Sequence, residues 1–252
     1  MGHLFVIDVG NTSTSVGLAR GRRIVRVVRL PTHAPDPPAQ IRRALRRAAG
    51  NAPVAGAVLC SVVPRRNRAW LAALRRLYVV DALVVSHRLK LSVKVDYPKP
   101  AMIGADRLAN ACAAWERYGR PVIVADFGTA LTFDIVTGDG RYVGGVIAPG
   151  LPLMTDYLHA KTALLPRISL NGRFGRVGRS TSEAMRIGAI VGYRGMVREI
   201  LRHVQVGFAE RRVALCATGG HAARALAGLP IAVDILPELT LQGLVSIYAM
   251  NR

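Results

Sequence analysis

Two short segments of this 252-residue chain combine residue types that suit a nucleotide. In each, a β-forming run ends in Asp and then turns through Gly: Val6-Ile7-Asp8-Val9-Gly10-Asn11-Thr12, and Val124-Ala125-Asp126-Phe127-Gly128-Thr129-Ala130. Such a turn sets backbone N–H groups and a hydroxyl around one concave surface, where they can take phosphate oxygens. Glycine lets the backbone come close, and the carboxylate faces the same space and can hold a cation. Taken singly, either turn also fits an ordinary hairpin. Two copies at equivalent places in two similar halves favour the nucleotide, because facing halves could grip a triphosphate from both sides. A third acidic element, Gly104-Ala105-Asp106-Arg107, opens a predicted helix, with Asn110 one turn later. An Asp at a helix start is ordinarily a cap. With Arg107 beside it a second reading opens: a carboxylate that takes the proton of an alcohol, next to a guanidinium that binds an anionic substrate. Phosphoryl transfer to a small hydroxy acid requires that pair.

These residues are positioned by a repeated plan. The first half opens with predicted strands at Leu4 to Asp8, Ser13 to Ala19 and Ile24 to Leu30, broken by Gly10-Asn11 and Gly21-Arg22. The second opens with Val122 to Asp126, Ala130 to Val136 and Tyr142 to Ile147, broken by Gly128-Thr129 and by Gly138-Asp139-Gly140. Helix and strand patterns then alternate. In the first half they are Gln40 to Ala49, Ala55 to Val63, Arg68 to Leu77 and Leu83 to Ser86. An extended stretch, Val93 to Ile103, follows, in which Pro98 and Pro100 argue against helix, and then a helix from Ala105 to Tyr118. In the second half they are a long helix over Ser182 to Val204, a strand at Val213 to Thr218, a helix near His221 to Leu226, a strand at Ile231 to Ile235 and a helix from Leu239 to Met250. Pro31 to Pro38 reads as a loop. The expected class is α/β: βββαβαβα twice, each half a mixed sheet flanked by helices, with halves 1–103 and 104–252.

Half of the chain is apolar, enough for a substantial core. Its longest apolar run, Ala55 to Val63, falls well short of the roughly 20 residues a bilayer span needs. The first residues carry no basic leader, so a soluble, cytoplasmic protein is expected. Cys60, Cys112 and Cys216 are an odd number at wide spacing among apolar residues, which reads as buried free thiols. The net charge is +20, and 31 of the 35 basic residues are arginine, spread over nearly every segment. The densest cluster, Arg42, Arg43, Arg46 and Arg47, would make a basic stripe on one helix: a solvated face, or a contact for nucleic acid or a membrane. No nucleic-acid motif accompanies it, so neither nucleic acid nor a membrane is expected as partner.

The order of motifs resembles type III pantothenate kinase over essentially the whole chain. The resemblance is carried by Asp8 to Thr12; Ser61-Val62-Val63-Pro64; Tyr97 followed by Gly104-Ala105-Asp106-Arg107; and Asp126 through Thr132. It continues in Gly144-Gly145-Val146-Ile147-Ala148-Pro149-Gly150, Ser180-Thr181, Thr218-Gly219-Gly220 and Leu239-Thr240-Leu241-Gln242-Gly243-Leu244. That family belongs to the ribonuclease H-like, actin-type ATPase superfamily of acetate and sugar kinases, in line with the duplicated plan. The resemblance implies ATP-dependent phosphorylation of the primary hydroxyl of pantothenate, the first step toward coenzyme A. It implies that Asp8, Val9, Gly10, Asn11, Thr12, Ser13, Thr14 and Ser15 form the first phosphate loop, that Thr129 contacts ATP, and that Asp106 is the general base. Tyr97, Gly104, Ala105, Asp106, Arg107 and Thr181 would bind pantothenate, with Arg107 facing its carboxylate. Asp126 would ligate the monovalent cation, K⁺ or NH₄⁺, and Asp8 is a candidate for Mg²⁺. The family's homodimers share residues across the substrate pocket, and Thr181 would be the one lent here. Position 180 is Ser where the family usually has Asn. Two rivals stand beside this reading: a related phosphotransferase for another small alcohol, and a basic regulator that uses the fold as a nucleic-acid scaffold.

Overall fold

The computed structural model describes residues 2–33, 37–172, 174–208 and 212–252. The duplicated βββαβαβα plan is present. The first half runs β1 (His3–Val9), β2 (Ser13–Arg20), β3 (Arg23–Pro31), α1 (Pro37–Ala49), β4 (Val54–Ser61), α2 (Pro64–Tyr78), β5 (Ala82–Val84) and β6 (Lys94–Val95), and α3 (Ala105–Tyr118) follows it. The second runs β7 (Val122–Phe127), β8 (Ala130–Val136), β9 (Arg141–Pro149), α4 (Leu151–Lys161), α5 (Thr181–Ile187), α6 (Tyr193–Val206), β10 (Ala214–Thr218), α7 (Ala222–Leu226), β11 (Asp234–Ile235) and α8 (Leu239–Met250). Of the predicted Pro31 to Pro38 loop, Ala34, Pro35 and Asp36 lie outside the described residues.

Some details depart from expectation, among them helix α4, which no pattern predicted, and β11, shorter than the expected Ile231 to Ile235. The stretch before α3 is not extended throughout: Pro100–Met102 forms a single 3₁₀ turn. Proline is tolerated at the first position of such a turn, where its missing N–H would have no partner anyway. The long second-half helix is interrupted by a π-turn at Gly188–Gly192 between α5 and α6.

Compact packing divides the chain into two units that cut across the repeat: residues 1–119, 138–143 and 238–252, and residues 120–137 and 144–237. In the first unit the sheet order is β3-β2-β1-β4-β5. β1, β2 and β3 form an antiparallel meander, and β4 and β5 extend it in parallel. Alternation along the strands assigns the two faces. Phe5, Ile7, Val9, Val16, Leu18, Ala57 and Leu59 pack with Ile41, Ala44, Leu45 and Ala48 of α1 and Trp70 and Leu74 of α2. The opposite face carries α3 and α8, which also pack on each other. Helix α1 buries Ile41, Ala44, Leu45 and Ala48 and leaves Arg42, Arg43, Arg46 and Arg47 exposed, so the basic stripe is a solvent-facing helix surface.

In the second unit β7 lies between antiparallel β8 and parallel β10, and β10 pairs with β11. Its core joins Ile123, Phe127, Leu131 and Phe133 with Tyr193, Val197 and Leu201 of α6 and Ala222, Ala225 and Leu226 of α7. Among the described residues no helix is long and apolar enough to cross a membrane.

One helix end is strained. Val79 follows α2 at φ 56, in the left-handed region, donating its N–H to the Arg75 carbonyl at 3.1 Å. Helix ends usually place glycine there, since a β-branched side chain in that conformation costs about 1–2 kcal/mol. Val79 is 88% exposed and returns little by packing. Val79→Gly is therefore expected to stabilise the protein by about 1 kcal/mol, read as a raised urea midpoint with an unchanged slope.

Candidate active site

In the first unit the candidate residues Asp8 to Ser15 and Gly104 to Arg107 lie at the carboxyl end of β1, beside that of β4, and at the amino end of α3. Parallel strand ends of this kind are where open α/β sheets bind ligands. The turn after β1 is tied down by backbone and hydroxyl bonds. Gly10 donates its N–H to the Ser13 carbonyl (3.1 Å), Thr32 donates its N–H to the Thr12 carbonyl (2.9 Å), and the Thr32 hydroxyl donates to the Gly10 carbonyl (2.7 Å). Asn11, Thr12 and Ser13 are exposed on this turn, while Asp8, Gly10 and Ser15 are half-buried. Val9 belongs to the core, and Thr14, also buried, hydrogen-bonds through its hydroxyl to that of Thr32 at 2.9 Å. The side chains of Val9 and Thr14 therefore shape the turn from beneath, leaving its upper surface to the backbone and the exposed hydroxyls. Asp8 receives a hydrogen bond from the Cys60 thiol on the neighbouring strand, Sγ to Oδ1 at 3.2 Å. Burial, with Asp8 and Asp106 nearby, pushes the Cys60 thiol well above its usual range. Cys112 and Cys216 are likewise buried and form no disulfide.

Asp106 is not the N-cap of α3. That position is Gly104, and Asp106 sits two residues into the helix. Its Oδ1 accepts the Arg107 N–H at 2.8 Å, so one of the unpaired amides of the first turn is satisfied. Burial nevertheless outweighs the N–H bonds and the nearby Arg107 charge, and holds the carboxyl above its ordinary value. A Cβ on Gly104 would come 2.4 Å from Asp106 Oδ1, so glycine there keeps the carboxylate's place open.

Arg107 is oriented by aromatic rings. Its guanidinium carbon lies 5.9 Å from the centre of the Tyr142 ring, and Tyr97 meets the same ring edge-on at 6.5 Å. Tyr142 is fully buried, and it reaches this place through parallel pairing of Lys94 with Arg141 and Val95 with Tyr142. Arg141 fastens the same corner with Asp139 (2.6 Å) and Asp96 (3.5 Å). No sequence motif pointed to Tyr142; only the β6–β9 register reveals it.

In the second unit the Asp126 turn is built against two glycines. Gly128 donates its N–H to the Ala130 carbonyl and Gly150 donates to the Thr129 carbonyl. A Cβ on Gly150 would lie 2.2 Å from the Thr129 oxygen. Gly219, at φ +89, follows Thr218, which is in register with Asp126; a Cβ there would lie 2.6 Å from Asp126 Oδ1. Thr129 is exposed at the tip. Thr181 is exposed at the first turn of α5, in the same unit. Ser180 caps that helix by accepting the Glu183 N–H at 3.2 Å, and the Glu183 carboxylate accepts the N–H groups of Gly175 and Arg179. Serine is a strong N-cap, so the change at 180 preserves the helix start that presents Thr181.

The sequence model of type III pantothenate kinase matches residues 4–203. The chain belongs to the type III pantothenate kinase family. A type III pantothenate kinase from Methylacidiphilum infernorum is 39% identical over 246 residues, 96% of this chain and 86% of that protein. Another, from Akkermansia muciniphila, is 47% identical over 188 residues, 75% of this chain and 76% of its own. A solved structure from Campylobacter jejuni, described as a Baf family transcriptional activator, superposes with a TM-score of 0.64 at 16% identity over 98% of both chains. A ROK family glucokinase from Streptomyces griseus superposes with a TM-score of 0.54 at 17% identity over 100% and 99%. At such identities these two likenesses speak for the fold alone, the α/β architecture of two helix-flanked mixed sheets described above.

Proposed function

We infer that this chain phosphorylates the primary hydroxyl of pantothenate with ATP, giving 4′-phosphopantothenate, the first step of coenzyme A biosynthesis. The observation that carries the reading is Asp106. A carboxylate held above its ordinary pKa by burial, with the ring-mounted Arg107 next along α3, is suited to take the proton of a hydroxyl on an acid substrate. Arg107 binds the pantothenate carboxylate, and Tyr97, Gly104, Ala105 and Thr181 line the remainder of the molecule. The Asp8 to Ser15 turn and Thr129 take the phosphates of ATP. As the hydroxyl oxygen attacks the γ-phosphorus in line, Asp106 accepts its proton. Most of the acceleration comes from positioning and charge neutralisation.

Among the described residues no cluster of three or more His, Cys, Asp or Glu could cage a metal. Single carboxylates fit Mg²⁺ well when substrate phosphates and water complete the shell, which suits Asp8 as its holder. Asp126 would hold K⁺ or NH₄⁺, and these ions supply neutralising charge beside the phosphates.

The same reading divides the chain into actin-like halves, 1–103 with the first phosphate loop and 104–252 with the second turn and the dimerisation helices, in a cytoplasmic homodimer that lends Thr181 across its pocket. An apolar face in the second unit supports the dimer. Leu153, Tyr157 and Leu158 of α4 and Val191 of the adjoining π-turn are exposed. A Cβ on Gly188, Gly192 or Gly195 would meet nothing within 4 Å, so a second helix can approach closely.

The test is ATP consumption with and without pantothenate, in potassium and then in sodium buffer. Turnover should require pantothenate and be faster in potassium. Pantothenate-independent or absent turnover in both buffers would sink the reading.

A further inference from the structure

Thr32, the first residue after β3, belongs to a stretch that the sequence marks only as a loop, yet it meets the Asp8 to Ser15 turn at three points. Its N–H is donated to the Thr12 carbonyl at 2.9 Å and its hydroxyl to the Gly10 carbonyl at 2.7 Å, and the same hydroxyl lies 2.9 Å from that of Thr14. A hydroxyl carries one hydrogen. With the Thr32 hydrogen given to Gly10, the Thr14 hydroxyl is the donor in its pair, and a relay runs from Thr14 through Thr32 to the Gly10 carbonyl. Thr14 is 1% and Thr32 7% exposed, so water is poorly placed to replace these bonds.

The relay orients more than a carbonyl. A trans peptide is planar, and its C=O and following N–H point to opposite sides. The Gly10–Asn11 peptide is trans, with its oxygen drawn toward buried Thr32, which turns the Asn11 N–H the other way, and Asn11 is exposed. A peptide next to glycine flips at little steric cost, so the residue types of the turn do not by themselves choose this orientation.

We propose that Thr32 is a positioning residue for ATP: by holding the Gly10 carbonyl inward, it keeps the Asn11 N–H facing the nucleotide's phosphates. This rests on the reading of the Asp8 to Ser15 turn as the phosphate loop.

The experiment titrates ATP and, separately, pantothenate into each protein in a calorimeter, at one fixed concentration of MgCl₂ and KCl. Thr32→Val keeps the shape and loses the hydroxyl, and Thr32→Ser keeps the hydroxyl. Thr32→Val should weaken ATP binding about tenfold, the factor a buried hydrogen bond is worth, and leave pantothenate binding within about twofold of the parent. Thr32→Ser should bind ATP as the parent does. A merely structural hydroxyl would lower the unfolding temperature of Thr32→Val without separating ATP from pantothenate, and that result overturns the proposal. So does a serine variant as weak for ATP as the valine one. If Thr32→Val does not fold, Thr32→Ala is put to the same titrations. Gly10→Ala, run alongside, separates the two claims, because its Cβ would come 2.9 Å from the Ser13 carbonyl oxygen and displace the backbone of the turn. Unchanged ATP affinity in that variant removes the reading of the turn as the phosphate loop. Weakened affinity there with Thr32→Val unchanged removes the role of Thr32 alone.

Discussion

Asp106→Asn is expected to lower kcat by about 10²–10⁴-fold, the usual contribution of a positioned general base, while ATP affinity stays near that of the parent. The amide keeps an oxygen able to accept the Arg107 N–H at the start of α3, so the helix persists and only the proton acceptor is lost. The same substitution should make the protein more stable at neutral pH. Burial raises the Asp106 pKa in the folded state, so the native carboxyl binds its proton more tightly than the unfolded one. The stability this provides is complete below about pH 4 and is lost as pH rises through the folded value. At pH 7 the charged, half-buried carboxylate is a net cost, which asparagine does not carry. Thermal unfolding at pH 7 and at pH 4 decides the matter: the variant should melt higher than the parent at pH 7, and the gap should close in acid. Near-normal turnover would remove Asp106 as the base. An equal or lower melting point at pH 7 would show that the carboxylate is well solvated in the native state. For the parent, the acid limb of kcat should fall above the ordinary carboxylate range.

The largest expected loss of stability lies at Gly243. A Cβ there would come 2.0 Å from the Ala109 carbonyl oxygen and 2.6 Å from its carbon, so the obstacle is backbone and no rotamer relieves it. Gly243→Ala should destabilise the protein by about 3 kcal/mol or more, the upper end for overpacking, seen as a fall in the urea midpoint. Since Ala109 lies one turn beyond Asp106 on α3, any shift that accommodates the methyl also moves Asp106, the proposed base. Activity at a temperature where the variant is still folded should therefore drop as well. A variant within 1 kcal/mol of the parent would mean that α3 and α8 can separate at little cost.

Much of this was legible in the sequence because local and global signals agreed. Helices at Ala105–Tyr118 and Leu239–Met250 and the strand Ala130–Val136 match expectation to the residue, each being bounded by glycine or polar residues. The paired Asp-Gly turns stood out because duplication repeats the chemistry as well as the pattern. Other features depended on distant pairing. Helix α4 was not anticipated: its sequence, with Pro152 in the first turn, has almost no amphipathic period, and it buries only Leu151 and Thr155. The π-turn was hidden inside a long helical pattern, because one extra residue per turn leaves no mark in composition. Tyr142 gave no signal, since its place over Arg107 comes from the β6–β9 register. Cys60 was read correctly as a buried thiol, but its partner is 52 positions away and appears only when β1 and β4 lie side by side.

The first compact unit is discontinuous, with α8 laid on the face of a sheet whose strands all come before residue 85. On the ribosome, that face cannot be closed when its own strands have emerged. At about 5–20 residues per second, the 94 residues of 144–237 alone take roughly 5–19 s to appear before α8 follows. During that interval Val6 and the small surface around Gly17 and Gly56 lack their final cover, for Leu241 and Tyr248 of α8 are what fill the space beside those glycines. The order of synthesis thus makes α3 one of the last parts of the molecule to find its lasting neighbour.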